Sequence, residues 1–428
     1  MQTTLTADIK KHEKIRGMDI LTCVYCAFMF SGNTSDTYLY IAFGLFLVWI
    51  FAACVTKPKF LNVCINDKKV LCLLAVVIYA FICGLFEAPI FFLMKQVGGT
   101  FLSFSPILIF LYYRTSGKKN IRFVIGAMLI CWAFFAIKAI NFYTENVGSA
   151  KILTADSDAY GDIAIGGGML LAFATAIFSA TLVDFIVQNK KRVICIALLI
   201  LSVYLLIKTE STVTLVCGLA GIAVSFVSAK GSVRGKIFRG VIGFVLLVAL
   251  VINIEEIGSW IVEMGVKQES TFGNRIESFG YAMMGDTQGG EYALERGAIV
   301  LQSIKTFLRY PLTGVCYQHG NSFYHPKNYG VGNHCAWFDF LANYGIVFGL
   351  AFCMVYIYQI KALYKSRNFS KGWAFCLLLA GCFNPITGFQ PSMFIFFLIP
   401  ALDLIIQEAE KGEKELKCDE SDGCSWRN

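Results

Sequence analysis

The chain has 428 residues, of which 57% are apolar and 15% are charged. Soluble domains average about 25% charged residues, so this composition excludes a chain that buries its apolar side chains in one water-soluble core. The net charge of +8 does not indicate a nucleic-acid partner, because the basic residues form short clusters between apolar runs, as in the cytoplasmic loops of membrane proteins.

Residues 1–254 contain a polar N-terminal lead followed by nine apolar runs. The runs approach the length of about 20 residues that a helix needs to cross a bilayer, so we predict nine transmembrane helices. Clusters of Lys and Arg occupy every second connection, and the positive-inside rule places the lead and those connections in the cytoplasm. We expect no cleavable signal peptide, because residues 1–19 are polar and charged. The predicted spans are 20–30, 37–55, 70–86, 98–113, 123–140, 163–187, 193–207, 212–229 and 240–254.

Residues 255–335 form the longest polar segment and are predicted to be one large external loop on the periplasmic side. Within it, residues 291–308 have apolar side chains at helical spacing, so an amphipathic helix is expected there. Pro311 and Gly314 should end that helix, because proline cannot continue it and glycine favours a helix C-terminus. The apolar positions are Leu294, Ala298, Leu301, Ile304 and Leu308.

Residues 336–406 are predicted to contain three further spans, and residues 407–428 form a charged cytoplasmic tail. Twelve spans leave both termini in the cytoplasm. The predicted fold is therefore an all-α polytopic membrane protein of about 12 transmembrane helices, with one large external loop that contains amphipathic helices. The last three spans are 336–358, 372–383 and 392–406.

His334 lies where the polar loop meets the next apolar run. An imidazole can take or give a proton near neutral pH, which makes this residue a candidate general base. The structural alternative is a polar side chain that marks a helix start and bonds a backbone carbonyl. His319, His325 and His334 could also bind zinc, although structural zinc sites usually have tighter paired spacings. The sequence also leaves open a disulfide between Cys316 and Cys335.

Arg296 lies near the start of the predicted amphipathic helix. A guanidinium binds phosphate oxygens through paired hydrogen bonds and stays charged at any relevant pH. The alternative is a solvated arginine on a helix face, or one that extends toward lipid headgroups.

Two blocks resemble the O-antigen ligase/polymerase family of bacterial envelope glycan enzymes. In the first block, Arg296 opens a helix that ends in the Pro-x-x-Gly-Val element Pro311 to Val315, as in the family. The second block runs from His334 to Gly345, a histidine followed by a glycine at the family's spacing. Cys335 stands where the family usually has asparagine, and residues 209–212 lack the arginine of a Ser-Arg pair often found in the family.

The resemblance implies a GT-C-like glycosyltransferase in the bacterial cytoplasmic (inner) membrane. Its donor would be a glycan linked to undecaprenyl diphosphate. Its acceptor would be a sugar hydroxyl of another lipid-linked repeat in a polymerase, or of lipid A core in a ligase. The product would be O-antigen, capsular polysaccharide or exopolysaccharide. Membrane lipids and a chain-length regulator are the other expected partners, and no cofactor or metal is expected.

The resemblance also implies roles for individual residues. His334 would act as the base on the acceptor hydroxyl, and Arg296 would stabilise the leaving diphosphate while the anomeric carbon inverts. Arg275 and Lys208 are further candidates for binding the diphosphate, and Lys208 is the cation nearest to the missing Ser-Arg pair.

Polymerase is favoured over ligase, because the departure at residues 209–212 resembles the looser polymerase pattern. The alternative from another class is a flippase or transporter of lipid-linked oligosaccharides. Such a protein would be expected to carry charged residues across several spans near the bilayer midplane, and often internal repeats. The sequence has few charges inside its apolar runs and no evident repeat, which favours the enzyme.

Overall fold

A computed structural model describes most of the chain between residues 17 and 398. Within the described residues the protein is all-helical and contains no strand, which confirms the predicted all-α class. The described residues are 17–30, 36–87, 90–116, 121–145, 168–187, 192–209, 211–229, 232–267, 271–286, 291–315, 331–332, 334–364, 371–384, 386 and 393–398.

Fifteen helices of the described residues are numbered here in chain order, and residues 393–398 are also helical. They are α1 Gly17–Phe30, α2 Asp36–Thr56, α3 Phe60–Ile65, α4 Lys68–Glu87, α5 Ile90–Ser116, α6 Ile121–Glu145, α7 Gly168–Val187, α8 Arg192–Lys208, α9 Thr212–Ser228, α10 Val233–Ile252, α11 Ile254–Lys267, α12 Thr271–Met283, α13 Glu291–Arg309, α14 Ala336–Tyr364 and α15 Gly372–Phe383.

Helices α13 and α15 lie where the sequence predicts them. The amphipathic helix expected over 291–308 is α13, and it ends two residues before Pro311. Helix α10 differs, because it begins at Val233 rather than at residue 240. Ser232 explains the earlier start, since its side chain caps the helix by accepting a hydrogen bond of 3.2 Å from the Gly235 N–H. Residues 233–239 are therefore helical, and their prediction as a loop is wrong.

The large polar segment contains two helices whose bounds the sequence did not predict, α11 and α12. They pack closely through glycines. A Cβ atom at Gly265 would lie 2.6 Å from the Glu277 nitrogen, and one at Gly280 would lie 2.7 Å from the Gly258 oxygen. Glycines at the contact face allow close helix approach, and they also weaken the apolar periodicity by which such helices are recognised.

The core of the bundle is rich in aromatic rings. Phe104 lies 5.4 Å from Phe352 between ring centroids, and Tyr25 lies 5.7 Å from Phe46. Buried polar groups in a core are generally hydrogen-bonded, because an unpaired buried group is costly. The Tyr25 hydroxyl, for example, hydrogen-bonds Ser105 Oγ at 2.8 Å. These contacts join α1, α2, α5 and α14 into one packed body.

Two of the described helices are long and apolar enough to cross a membrane, Val233–Ile252 and Ala336–Ala362. This property concerns length and composition alone. Six shorter apolar helices occur in the same described residues. The second of the two long helices is broken at Gly345.

Candidate functional site

Helix α13 carries the first candidate block. Arg296 is part of this helix, although its side chain falls outside the described part of the structure. Position 296 precedes Ile299 by about one helical turn and Ser303 by about two, so the three positions share one face of α13. The surroundings of Ile299 and Ser303 therefore define the neighbourhood in which the backbone of Arg296 lies.

The chain returns to this face of α13 at Gly332. A Cβ atom at Gly332 would collide with the backbone oxygen of Ile299, so only glycine permits this approach. The Gly332 N–H donates a hydrogen bond of 2.8 Å to Ser303 Oγ. The segment that leads into the second block thus crosses α13 between Ile299 and Ser303.

A buried carboxyl group extends this contact into α14. Ser303 Oγ donates to Asp339 Oδ1 at 2.5 Å, and the Cys335 N–H donates to Asp339 Oδ2 at 3.1 Å. Both oxygens accept hydrogen bonds, as expected of a carboxylate. Ser303 and Asp339 are almost fully buried. We call Gly332, Ser303, Cys335 and Asp339 the clasp, because they join α13 to the start of α14.

Helix α14 is not one continuous helix, because Gly345 has a φ of 67° and a ψ of −174°. The chain reverses there. Trp337 and Tyr356 would be about 28 Å apart in a straight helix, yet their ring centroids are 5.4 Å apart. The first limb, 336–344, therefore packs back along the second limb, 346–364. The prediction of a single helix over residues 336–358 is wrong at this point.

The Pro311–Val315 segment occupies the break. The Ile346 N–H, which would bond Ala342 in a continuous helix, donates to the Pro311 carbonyl at 2.7 Å. The Ala342 carbonyl accepts instead from the Val315 N–H at 2.9 Å. The inserted segment thus supplies both hydrogen-bond partners that the break removes from α14.

Two left-handed glycines make this insertion sterically feasible. Gly314 has a φ of 67° and approaches the backbone of Asn343, while a Cβ atom at Gly345 would collide with the Leu312 carbonyl. Tyr79 of α4 supports the insertion from the other side, since its hydroxyl donates to the Thr313 carbonyl at 2.6 Å. The end of the first block and the end of the second block are therefore interlocked.

His334 is half-buried and lies two residues beyond Gly332. It immediately precedes Cys335, whose N–H donates a hydrogen bond to Asp339. The structure thus brings the segment that carries His334 onto the face of α13 that carries position 296. A proton acceptor in a turn held by buried hydrogen bonds is suited to general-base chemistry.

The other predicted cations lie on different elements. Arg275 belongs to α12, which packs against α9 and α13, and its Nε and Nη2 atoms are buried. Lys208 ends α8, and its Nζ lies 5.7 Å from the centroid of the Tyr204 ring. Among the described helices, α8 packs mainly against α7, with smaller contacts to α6 and α9. The packing between described helices therefore connects the helix of Arg275 to the helix of Arg296.

The remaining sequence candidates divide between described and undescribed residues. His319, His325 and Cys316 lie outside the described residues, so the zinc and disulfide alternatives stay open. Cys335 is buried. Burial raises its pKa above the ordinary value for cysteine, which keeps the thiol protonated and unreactive near neutral pH.

Sequence reasoning assigned no role to Ser303 or Asp339. A signal for Asp339 was present, because it is an acidic residue near the start of a long apolar run. Acidic side chains are almost never fully buried unless they are paired, so its position indicated a partner. The sequence around Asp339 could not predict that this partner is Ser303, because Ser303 lies on a separate helix.

In comparisons with known proteins, no family model matches the chain and no curated protein matches it. Any assignment of function therefore rests on the residues and geometry of the chain itself.

Proposed function

We propose that the protein is a polytopic membrane glycosyltransferase that polymerises undecaprenyl-diphosphate-linked oligosaccharide repeats into an envelope polysaccharide. The observation that carries this proposal is the interlocking of the two blocks that resemble the O-antigen ligase/polymerase family. The clasp joins Ser303 to Asp339, and the Pro311–Val315 segment fills the break at Gly345. Two blocks that are separate in sequence thus form one packed unit.

Helix α10 supports the membrane part of the proposal. Phe244, Val245 and Leu246 are 66%, 57% and 64% exposed. Successive helix positions point about 100° apart, so this helix is apolar and uncovered around most of its circumference. A helix that is hydrophobic all round is stable in a protein core or in a bilayer, but not in water. Its basic residues Arg234, Lys236 and Arg239 lie at the predicted cytoplasmic end.

The proposed chemistry assigns one task to each block. The acceptor hydroxyl attacks the anomeric carbon, His334 accepts its proton, and the bond to the diphosphate breaks with inversion. Arg296 stabilises the negative charge that develops on the departing diphosphate. Arg275, on the neighbouring helix α12, is a second cation for the same diphosphate. The acceptor is another lipid-linked repeat, and lipid A core is the acceptor in the alternative ligase reaction.

The first experiment tests the two proposed catalytic residues in a strain that makes the polysaccharide. We expect His334→Ala and Arg296→Ala each to abolish chain extension while the protein remains in the membrane fraction. Lys305→Ala is the matched control, because Lys305 is an exposed cation on the same helix and should be dispensable. Full-length polysaccharide from either site variant would refute the assignment.

The same strain distinguishes polymerase from ligase. Loss of a polymerase leaves single repeats that can still be transferred to lipid A core, whereas loss of a ligase leaves long chains on the lipid carrier. The polymerase proposal predicts the first pattern on electrophoresis of the glycans. Accumulation of long, lipid-linked chains would instead support the ligase.

A second experiment tests the side of the membrane. A reporter residue introduced at position 320 should react with an impermeant reagent from the periplasm, and one at Asn66 should react only after the membrane is opened. Reaction of position 320 from the cytoplasmic side alone would overturn the proposed topology.

A further inference from the structure

Helix α3 lies across the ends of three longer helices. It connects α2 to α4 and packs against both of them and against α5. Phe60 anchors it, because its ring lies 6.0 Å from Trp49 and 5.8 Å from Tyr112 in edge-to-face arrangements. This anchoring orients a helix that is too short to be stable alone.

The outward side of α3 consists of two adjacent strips. Leu61 and Ile65, one turn apart, are 52% and 56% exposed. Beside them, Asn62 and Asn66 form an exposed polar strip in which Asn66 Nδ2 donates to Asn62 Oδ1 at 3.0 Å. Helix α3 is therefore amphipathic on its free surface, with an apolar pair that the described residues leave uncovered.

Two exposed lysines flank the apolar pair along the chain. Lys59 and Lys68 are exposed at the two ends of α3. The nearby acidic residue Asp67 caps the start of α4, since its Oδ1 accepts from the Lys69 N–H at 2.9 Å, and its negative charge offsets only one of the two lysines. The described surface around Leu61 thus combines exposed leucine and isoleucine with lysine ammonium groups, and its surface charge is complementary to an anionic surface.

We propose that α3 binds the anionic phospholipid surface of the cytoplasmic leaflet. Leu61 and Ile65 enter the boundary between headgroups and acyl chains, and Lys59 and Lys68 lie at the phosphates. Anionic lipids attract each nearby lysine by about 1 kcal/mol, and an exposed apolar face adds to that attraction. The inference rests on the membrane part of the proposed function and is independent of glycosyl transfer.

The test uses the full-length protein reconstituted in vesicles that contain phosphatidylglycerol. A fluorescent amino acid is incorporated singly at position 61, 65, 62 or 130, and quenching by lipids that carry nitroxides at shallow and deep positions is compared with quenching by aqueous iodide. We expect lipid quenching to be several-fold stronger at 61 and 65 than at 62. Lys59→Glu with Lys68→Glu, or vesicles of phosphatidylcholine alone, should weaken that difference.

Equal iodide quenching at positions 61, 65 and 62 would overturn the inference. Protection of 61 and 65 in native membranes but not in vesicles would also overturn it, because a protein partner would then cover the pair.

Position 130 serves as the reference, since Ile130 is 72% exposed in the middle of α6. If position 130 is quenched by lipid and 61 is not, only the α3 inference fails. If neither is quenched, the membrane proposal itself fails.

Discussion

Replacement of Gly345 by alanine tests the break in α14 and its interlock with the Pro311–Val315 segment. The combination of φ 67° and ψ −174° is almost confined to glycine, and another residue there is strained by about 1–3 kcal/mol. The new Cβ would also collide with the Leu312 carbonyl. Displacing that segment would break the hydrogen bond from the Ile346 N–H to the Pro311 carbonyl, and a buried unpaired N–H costs about 1–3 kcal/mol more.

We therefore expect Gly345→Ala to lower the free energy of unfolding by about 2–6 kcal/mol, a large part of the about 5–15 kcal/mol typical of folded proteins. Two other glycines separate the contributions. Gly285 has a φ of 77° with no atom near its would-be Cβ, so Gly285→Ala reports backbone strain alone. Gly126 is helical with open space around it, so Gly126→Ala should be neutral or stabilising by about 0.5–1 kcal/mol.

Thermal unfolding in detergent can be followed with a dye that fluoresces on reacting with thiols. The assay suits this protein because Cys26, Cys217 and Cys376 are fully buried until it unfolds. The expected order of melting temperatures is Gly126→Ala at or above the parent chain, then Gly285→Ala, then Gly345→Ala. If Gly345→Ala melts with Gly285→Ala, the collision with Leu312 contributes nothing and the interlock reasoning is refuted.

Three further predictions concern neighbouring contacts. Ser303→Ala and Asp339→Ala should each lower the free energy of unfolding. In a double-mutant cycle the two changes should show a coupling energy of about 1–3 kcal/mol, and additive effects would mean that the two residues do not act together. Tyr79→Phe should cost about 0.5–1.5 kcal/mol, because it removes the bond to the Thr313 carbonyl, and no change in melting temperature would contradict that bond. The Cys335 thiol should react with maleimide far more slowly in the folded than in the denatured chain at neutral pH, because burial raises its pKa. Peptide mapping measures the labelling, and equal labelling of the two states would contradict that burial.

Two helices set by local sequence were predicted closely, whereas α5 begins at Ile90 rather than at residue 98. Helix α15 has the predicted bounds 372–383, and α13 begins at residue 291 as its apolar spacing indicates. Such helices follow from the periodicity of a single continuous stretch. The start of α10 was missed because a serine cap extended the helix into a basic stretch whose charges had been interpreted as a loop.

The break at Gly345 could not be predicted from its own neighbours, because a glycine in an apolar run is also compatible with a continuous helix. What stabilises the break is the backbone of residues 311–315, which belongs to a different part of the chain. The clasp likewise depends on a residue distant in sequence, because Ser303 on α13 hydrogen-bonds Asp339 on α14. The candidate residues were accessible to sequence reasoning, but the hydrogen bonds that bring their segments together were not.

The exchange of hydrogen bonds at Gly345 also has a consequence for the order of assembly. During synthesis, Pro311 leaves the ribosome well before Ile346, so its carbonyl has no native partner until the second limb of α14 has been made. Contacts between segments distant in sequence form late because their loop-closure entropy must first be overcome. The region around His334 is therefore expected to mature as one of the last steps of biogenesis, after the earlier helices are already packed.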